Sequence, residues 1–92
     1  MKIKFSHKAY LRLDGIAKYI FEQSNSKEIT AEYIKKLRHY IIEMLTQFPK
    51  SGRPCEELAP NTRKLVYQGY CIIYRIGDTH IEILTLYKEN LP

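Results

Sequence analysis

The sequence predicts one α+β domain over residues 1–92, with the helices first and most of the sheet last. Apolar residues recur at helical spacing up to Phe48, whereas β-branched and aromatic residues dominate from Arg63 onward. Between them the seam Pro49-Lys50-Ser51-Gly52-Arg53-Pro54 interrupts both patterns. The expected order is an N-terminal strand, an antiparallel helical hairpin and a three-stranded antiparallel meander, with the strands in one sheet. A chain of 92 residues fits a single small domain, which buries about 60–65% of the surface its unfolded form exposes.

Ile3 to Phe5 alternates with lysines and is expected as a short strand. Ser6 follows as an N-cap, with Phe5 and Tyr10 placed for a hydrophobic staple. The first helix shows an apolar face of Tyr10, Leu13, Ala17, Ile20 and Phe21, with Arg12, Lys18 and Glu22 opposite. Gly15 within it costs up to ~1 kcal/mol relative to Ala, which close packing against a second element would explain. Ser24-Asn25-Ser26 turns the chain into a second helix from Lys27 to Phe48. Its apolar face is Tyr33, Leu37, Tyr40, Ile41, Met44, Leu45 and Phe48. Pro49 ends it, because the residue before a proline is pushed out of the α region. Strands follow over Arg63–Gln68, Tyr70–Ile76 and Thr79–Tyr87, with turns at Gln68-Gly69 and Gly77-Asp78. Glycine there supplies the positive φ of a primed hairpin turn.

The strands carry apolar residues on both parities. Tyr70, Ile72, Tyr74 and Ile76 alternate with Cys71 and Ile73, and Ile81 and Ile83 are set against Leu84 and Leu86. A sheet covered by helices on one side only should alternate cleanly. The second face is therefore expected to be covered, either by the 49–61 loop or by a protein partner.

Fifteen Lys and Arg against ten Asp and Glu give a net charge of +5, which suits an acidic partner without naming it. The excess is regional. Residues 1–55 hold eleven basic and five acidic residues, a net +6, whereas 56–92 hold four and five, a net −1. The sheet half is thus nearly neutral, and the composition permits nucleic-acid contact without arguing for it. No stretch approaches the roughly 18 apolar residues of a membrane span, and the first residues lack a secretory apolar run, so the expected location is cytoplasmic. Cys55 and Cys71 form no C-x-x-C pair; neither a disulfide nor a metal site is expected, and Cys71 reads as a buried thiol.

There is no phosphate loop, no G-x-S-x-G and no zinc spacing, and no cofactor is expected. His7, His39 and His80 are dispersed, and the adjacent Glu56 and Glu57 should point apart. The basic and aromatic residues of the later half are the better candidates. Arg53 in its Gly-Arg-Pro turn, Arg63, Lys64, Arg75, Tyr87 and Lys88 could converge on an acidic or phosphate-rich surface. Arg75 shares a parity with Cys71 and Ile73, so a structural ion pair with Glu82 is the competing role.

The layout resembles toxins of the RelE/ParE superfamily from bacterial type II toxin–antitoxin systems. The matching stretches are Lys4-Phe5-Ser6 leading into Ala9, Phe48-Pro49 followed by Gly52-Arg53-Pro54, and the run from Arg63 to Ile76 with Ile81-Glu82-Ile83-Leu84. The resemblance implies a compact toxin neutralised by a cognate antitoxin that wraps it, acting as a homodimer or a toxin–antitoxin hetero-oligomer. Members that cut messenger RNA on the ribosome typically carry an arginine where this chain has Cys71. The Gly-Arg-Pro turn and the Arg63…Tyr70…Tyr74-Arg75 pattern look more like the ParE branch, whose members inhibit DNA gyrase by protein contact rather than as enzymes. On that branch Arg53, Arg63, Arg75, Tyr87 and Lys88 are the expected target-binding residues. The alternatives are a ribosome-dependent endoribonuclease, using Arg53, Arg63, Lys64, Tyr87 and Lys88, and an inactive relative that only binds an antitoxin. Lys88-Glu89-Asn90 stand where ParE-like chains often have histidine and arginine.

Overall fold

In a computed structural model, which describes residues 1–89, the chain runs β1 (Lys2–Phe5), α1 (His7–Ser24), α2 (Lys27–Gln47), β2 (Arg53–Pro54), β3 (Thr62–Tyr67), β4 (Tyr70–Ile76) and β5 (His80–Lys88). The sheet is mixed, in the order β1-β5-β4-β3-β2. β3, β4 and β5 form the expected meander; β1 joins in parallel with β5, and the two-residue β2 adds an unanticipated strand to the far edge.

Ser6 caps α1 as its position predicts: its Oγ accepts from the Ala9 N–H at 3.0 Å. The staple forms too, with the Phe5 and Tyr10 ring centroids 5.7 Å apart. The buried stripe of α1 is Ala9, Leu13 and Ile16. Tyr10 and Phe21, expected on that face, are exposed, because the sheet meets the helix on the side of the small Ala9. Asn25 ends α1 in the left-handed region at φ 53°. Ser26 caps α2 by accepting from the Ile29 N–H at 3.1 Å. α2 buries Leu37, Ile41 and Leu45. It stops at Gln47, one residue before the expected end, and Phe48 is exposed in a non-helical conformation (φ −133°, ψ 75°).

The Gln68-Gly69 turn has φ of 48° and 85°, the two positive values of a type I′ turn. The β4–β5 connection differs from expectation. It is three residues long, Gly77 is outside the left-handed region, and the Gly77 N–H donates to the His80 carbonyl at 2.9 Å. Glycine suits this turn for closeness instead, since a Cβ there would lie 3.0 Å from the same carbonyl oxygen.

A β-bulge explains much of the two-sided apolar pattern. Opposite β4 the register passes from Ile73↔Thr85 to Tyr74↔Ile83, leaving Leu84 as an extra residue. The parity of β5 switches there, so Ile81, Ile83 and Leu86 all reach the helix-side core with Tyr70, Ile72 and Tyr74. The bulge is braced by the α1 cap: the Ser6 N–H donates to the Ile83 carbonyl at 2.9 Å, and the Ser6 hydroxyl to the Leu84 carbonyl at 2.8 Å.

Candidate functional site

Alternation along β3, β4 and the β5 segment beyond the bulge assigns each candidate to a face. Leu65 faces the helices with Ile72 and Leu86. Lys64, Cys71, Ile73, Arg75, Thr85 and Tyr87 therefore occupy the opposite, open face. Arg53 pairs with Lys64 and joins them. Arg63 and Lys88 fall on the helix side. The six predicted residues thus do not form one cluster: Arg53, Lys64, Arg75 and Tyr87 share the open face, and the other two lie behind it.

Arg63 is occupied structurally. Its Nη1 donates to the Gly52 carbonyl at 2.7 Å and to the Lys50 carbonyl at 3.2 Å. Its cross-strand neighbour Tyr74 completes the clamp, donating to the Pro49 carbonyl at 2.7 Å and accepting the Gly52 N–H at 3.0 Å. A Cβ on Gly52 would sit 2.7 Å from the Tyr74 ring and 2.8 Å from the Lys64 carbonyl oxygen; only glycine lets the chain pass here. The proline seam is pinned to the sheet in this way, which brings Arg53 alongside β3.

Arg75 faces Glu82 in register, but the anticipated ion pair is not formed among the described residues. Its guanidinium leans on the Pro60 carbonyl, at 3.3 and 3.4 Å, leaving donors directed to solvent. Tyr87 lies opposite Cys71. Burial, with the neighbouring Cys71 thiol second, raises its phenol above the ordinary tyrosine value. At neutral pH it is an uncharged donor rather than a base.

The open face exposes little of the apolar surface anticipated for a partner, Val66 at 42% being an exception. Cys71 is 0% and Ile73 4% exposed within the chain itself. The segment after the seam contributes to this covering: Cys55 is fully buried, with its Sγ 3.3 Å from the Thr62 Oγ1. Of the other candidates, His7, His39, Glu56 and Glu57 are exposed, and the His80 Nδ1 lies 3.2 Å from the neighbouring Thr79 hydroxyl. No group of three potential metal ligands occurs among the described residues. No helix of the described residues is long and apolar enough to cross a membrane.

Further exposed apolar surface lies on the helix side. A groove of about 520 Å³ separates α1 from the end of the β4–β5 hairpin, between Leu11, Gly15 and Tyr19 on one wall and Tyr70, Leu86 and Lys88 on the other. Nothing lies within 4 Å of where a Gly15 Cβ would be, so this glycine opens the groove rather than permitting close packing. The Lys88 Nζ stands 5.0 Å from the Tyr19 centroid and 5.9 Å from that of Tyr70. Leu11, Gly15 and Tyr19 are spaced by four, a second stripe on α1 that could be read from the sequence beside the core stripe.

Comparison with known proteins agrees with this geometry. A family model described as ParE toxin of type II toxin-antitoxin system, parDE, matches residues 3–89. Toxin ParE1 of Caulobacter vibrioides is 30% identical over 88 residues, covering 96% of this chain and 88% of the relative. Toxin ParE1 of Mycobacterium tuberculosis is 28% identical over 61 residues, 65% of this chain and 61% of its own. Among solved structures, the chromosomal ParDE TA system from P. aeruginosa superposes with a TM-score of 0.78 at 20% identity, covering 96% of this chain and 95% of that one. The toxin–antitoxin complex RelBE2 from M. tuberculosis gives 0.67 at 20% identity over 95% and 88%. At such identities the structures bear on the fold, and the sequence matches bear on the family: the chain belongs to the ParE toxins of type II toxin–antitoxin systems.

Proposed function

We propose that this chain inhibits DNA gyrase by protein contact through its open sheet face, and that a cognate antitoxin neutralises it. The observation carrying the first half is the environment of Cys71. The strand position where the resembling ribonucleases place an arginine holds a thiol with no exposed surface, which supplies no charge to a phosphate in flight. Of the remaining ribonuclease candidates, Arg63 is spent on the seam carbonyls and Lys88 lies on the helix side, so Arg53, Lys64 and Tyr87 stand on the open face without that arginine. What the open face presents is Arg53, Lys64 and Arg75 around a closed apolar centre, a surface suited to charge-steered docking on an acidic protein. The antitoxin half draws its support from the family and from the toxin–antitoxin systems among the structural neighbours. The single-domain organisation and cytoplasmic site of action belong to the same reading.

A supercoiling assay with purified gyrase, run beside an in vitro translation assay, tests this. Inhibited supercoiling with intact message is expected. Codon-positioned message cleavage would replace the reading by the endoribonuclease. No effect in either assay would leave an antitoxin-binding module.

A further inference from the structure

We infer that the open sheet face carries a track for the phosphate backbone of duplex DNA, built from Lys2 and Lys4 of β1, Arg75 of β4 and Lys64 of β3. On the gyrase reading above, on which this rests, the DNA is the segment that the enzyme holds, so the toxin meets both components of its target.

β1 brings two further cations to this face. Ile3 and Phe5 pack against the helix-side core and pair in parallel with Ile81 and Ile83. Lys2 and Lys4 therefore point to the opposite side, exposed and in register with His80 and Glu82. Across the sheet Lys4, Glu82, Arg75 and Thr62 form one row; Thr85, Ile73, Lys64 and Arg53 form the next. The four cations thus run obliquely from the β1 edge to β3, three strand spacings or about 14 Å. That matches about four base pairs of a duplex, which carries one charge per ~1.7 Å of its axis.

None of the four has a carboxylate within ion-pair distance among the described residues. Glu82 stands between Lys4 and Arg75 in its row, and Glu56 shares a hollow with Arg75, yet neither acid is paired. The Arg75 Nε and Nη2 lean on the Pro60 carbonyl, which leaves Nη1 for a phosphate oxygen.

What lies between the cations selects the polyanion. A protein interface has an apolar, well-packed centre with charge at its rim, whereas contact with DNA is more polar and more positive. Thr62 is 1% and Ile73 4% exposed within the two rows, so the track offers little apolar area to a protein. Val66 lies two residues beyond Lys64, opposite Cys71 and off the track. With Arg53 and Tyr87 it leaves that end of the face to the gyrase protein. Phosphate contacts need no apolar centre, because counterion release supplies the affinity.

The test is fluorescence anisotropy of a short labelled duplex over a salt series. The wild-type chain, Lys2→Gln/Lys4→Gln, Arg75→Gln and Glu82→Gln are titrated, with thermal melts of each. Wild-type binding should fall with salt at a log–log slope of about −3 to −4, as four phosphate contacts require. Removing both lysines should cut that slope by about two and weaken affinity about tenfold or more at ~50 mM salt, with Tm unchanged at these exposed positions. Glu82→Gln should tighten binding by about twofold or more, a gain that loss of folding would not produce. No affinity at ~50 mM salt, or one slope shared by the wild type and both cation-removing variants, would overturn the track. A parallel supercoiling titration separates it from the gyrase reading. Inhibition without duplex affinity overturns the track and leaves contact with the gyrase protein alone. Duplex affinity with the expected slopes but no inhibition upholds the track and overturns the gyrase reading. Tighter binding to a single-stranded RNA of equal length would assign the track to RNA and overturn the proposal.

Discussion

Tyr74→Phe removes one oxygen from the centre of the molecule and exposes what holds the seam in place. The hydroxyl is buried; it donates to the Pro49 carbonyl at 2.7 Å and accepts the buried Gly52 N–H at 3.0 Å. In the variant the Gly52 N–H loses its partner. An orphaned buried group costs about 1–3 kcal/mol, and the Pro49 carbonyl loses a net bond worth about 1 kcal/mol. Partial rescue by water at the half-buried Pro49 reduces the total to roughly 2 kcal/mol. For a domain of this size that lowers Tm by roughly 8–16 °C. Urea denaturation should show the midpoint falling with the m-value unchanged. Amide exchange should accelerate at Gly52 and through the seam before it does so in β4. A loss below about 0.5 kcal/mol, within the range of ordinary surface changes, would refute the clamp and with it the explanation of why Arg53 lies beside β3.

Three other outcomes follow from the same geometry. Ser6→Ala should cost about 1–2 kcal/mol by chemical denaturation, because one hydroxyl caps α1 and also donates to the bulge carbonyl of Leu84. Alkaline titration should destabilise the fold: burial raises the phenols of Tyr33, Tyr70, Tyr74 and Tyr87, so the stability they confer is complete below the unfolded value near about 10 and is lost as pH rises through their higher folded values. Denaturation midpoints at increasing pH, with tyrosinate absorbance as the monitor, check this, and Tyr74→Phe should soften the decline. Arg53→Glu, on an exposed β2 position, should change stability by less than about 0.5 kcal/mol while sharply reducing gyrase inhibition in a supercoiling titration.

The order and type of the main elements could be read from the chain because each is announced locally. Ser6 and Ser26 mark helix starts, Pro49 a helix end, and Gln68-Gly69 a hairpin, and each signal depends only on backbone chemistry within a few residues. The apolar second face misled for a non-local reason. A bulge at Leu84 inverts the parity of β5, and nothing in Ile81-Glu82-Ile83-Leu84 announces it, because the bracing carbonyl contacts come from Ser6, 78 positions away. The candidate site was legible as residue types and not as an arrangement. Arg63 and Lys64 are adjacent, so a strand must send them to opposite faces, yet Arg63 becomes structural only once Gly52 and Lys50 are brought against it. The groove was missed because Leu11 and Tyr19 look like ordinary surface until Tyr70 and Lys88 are placed across from them.

The most direct test is the supercoiling activity of purified DNA gyrase titrated with this protein in the absence of ribosomes and RNA. Inhibition that saturates with toxin concentration, is relieved by the cognate antitoxin and is abolished by Arg53→Glu is the expected result. Undiminished supercoiling at saturating toxin, with message cleaved in a ribosome-containing reaction, would contradict it.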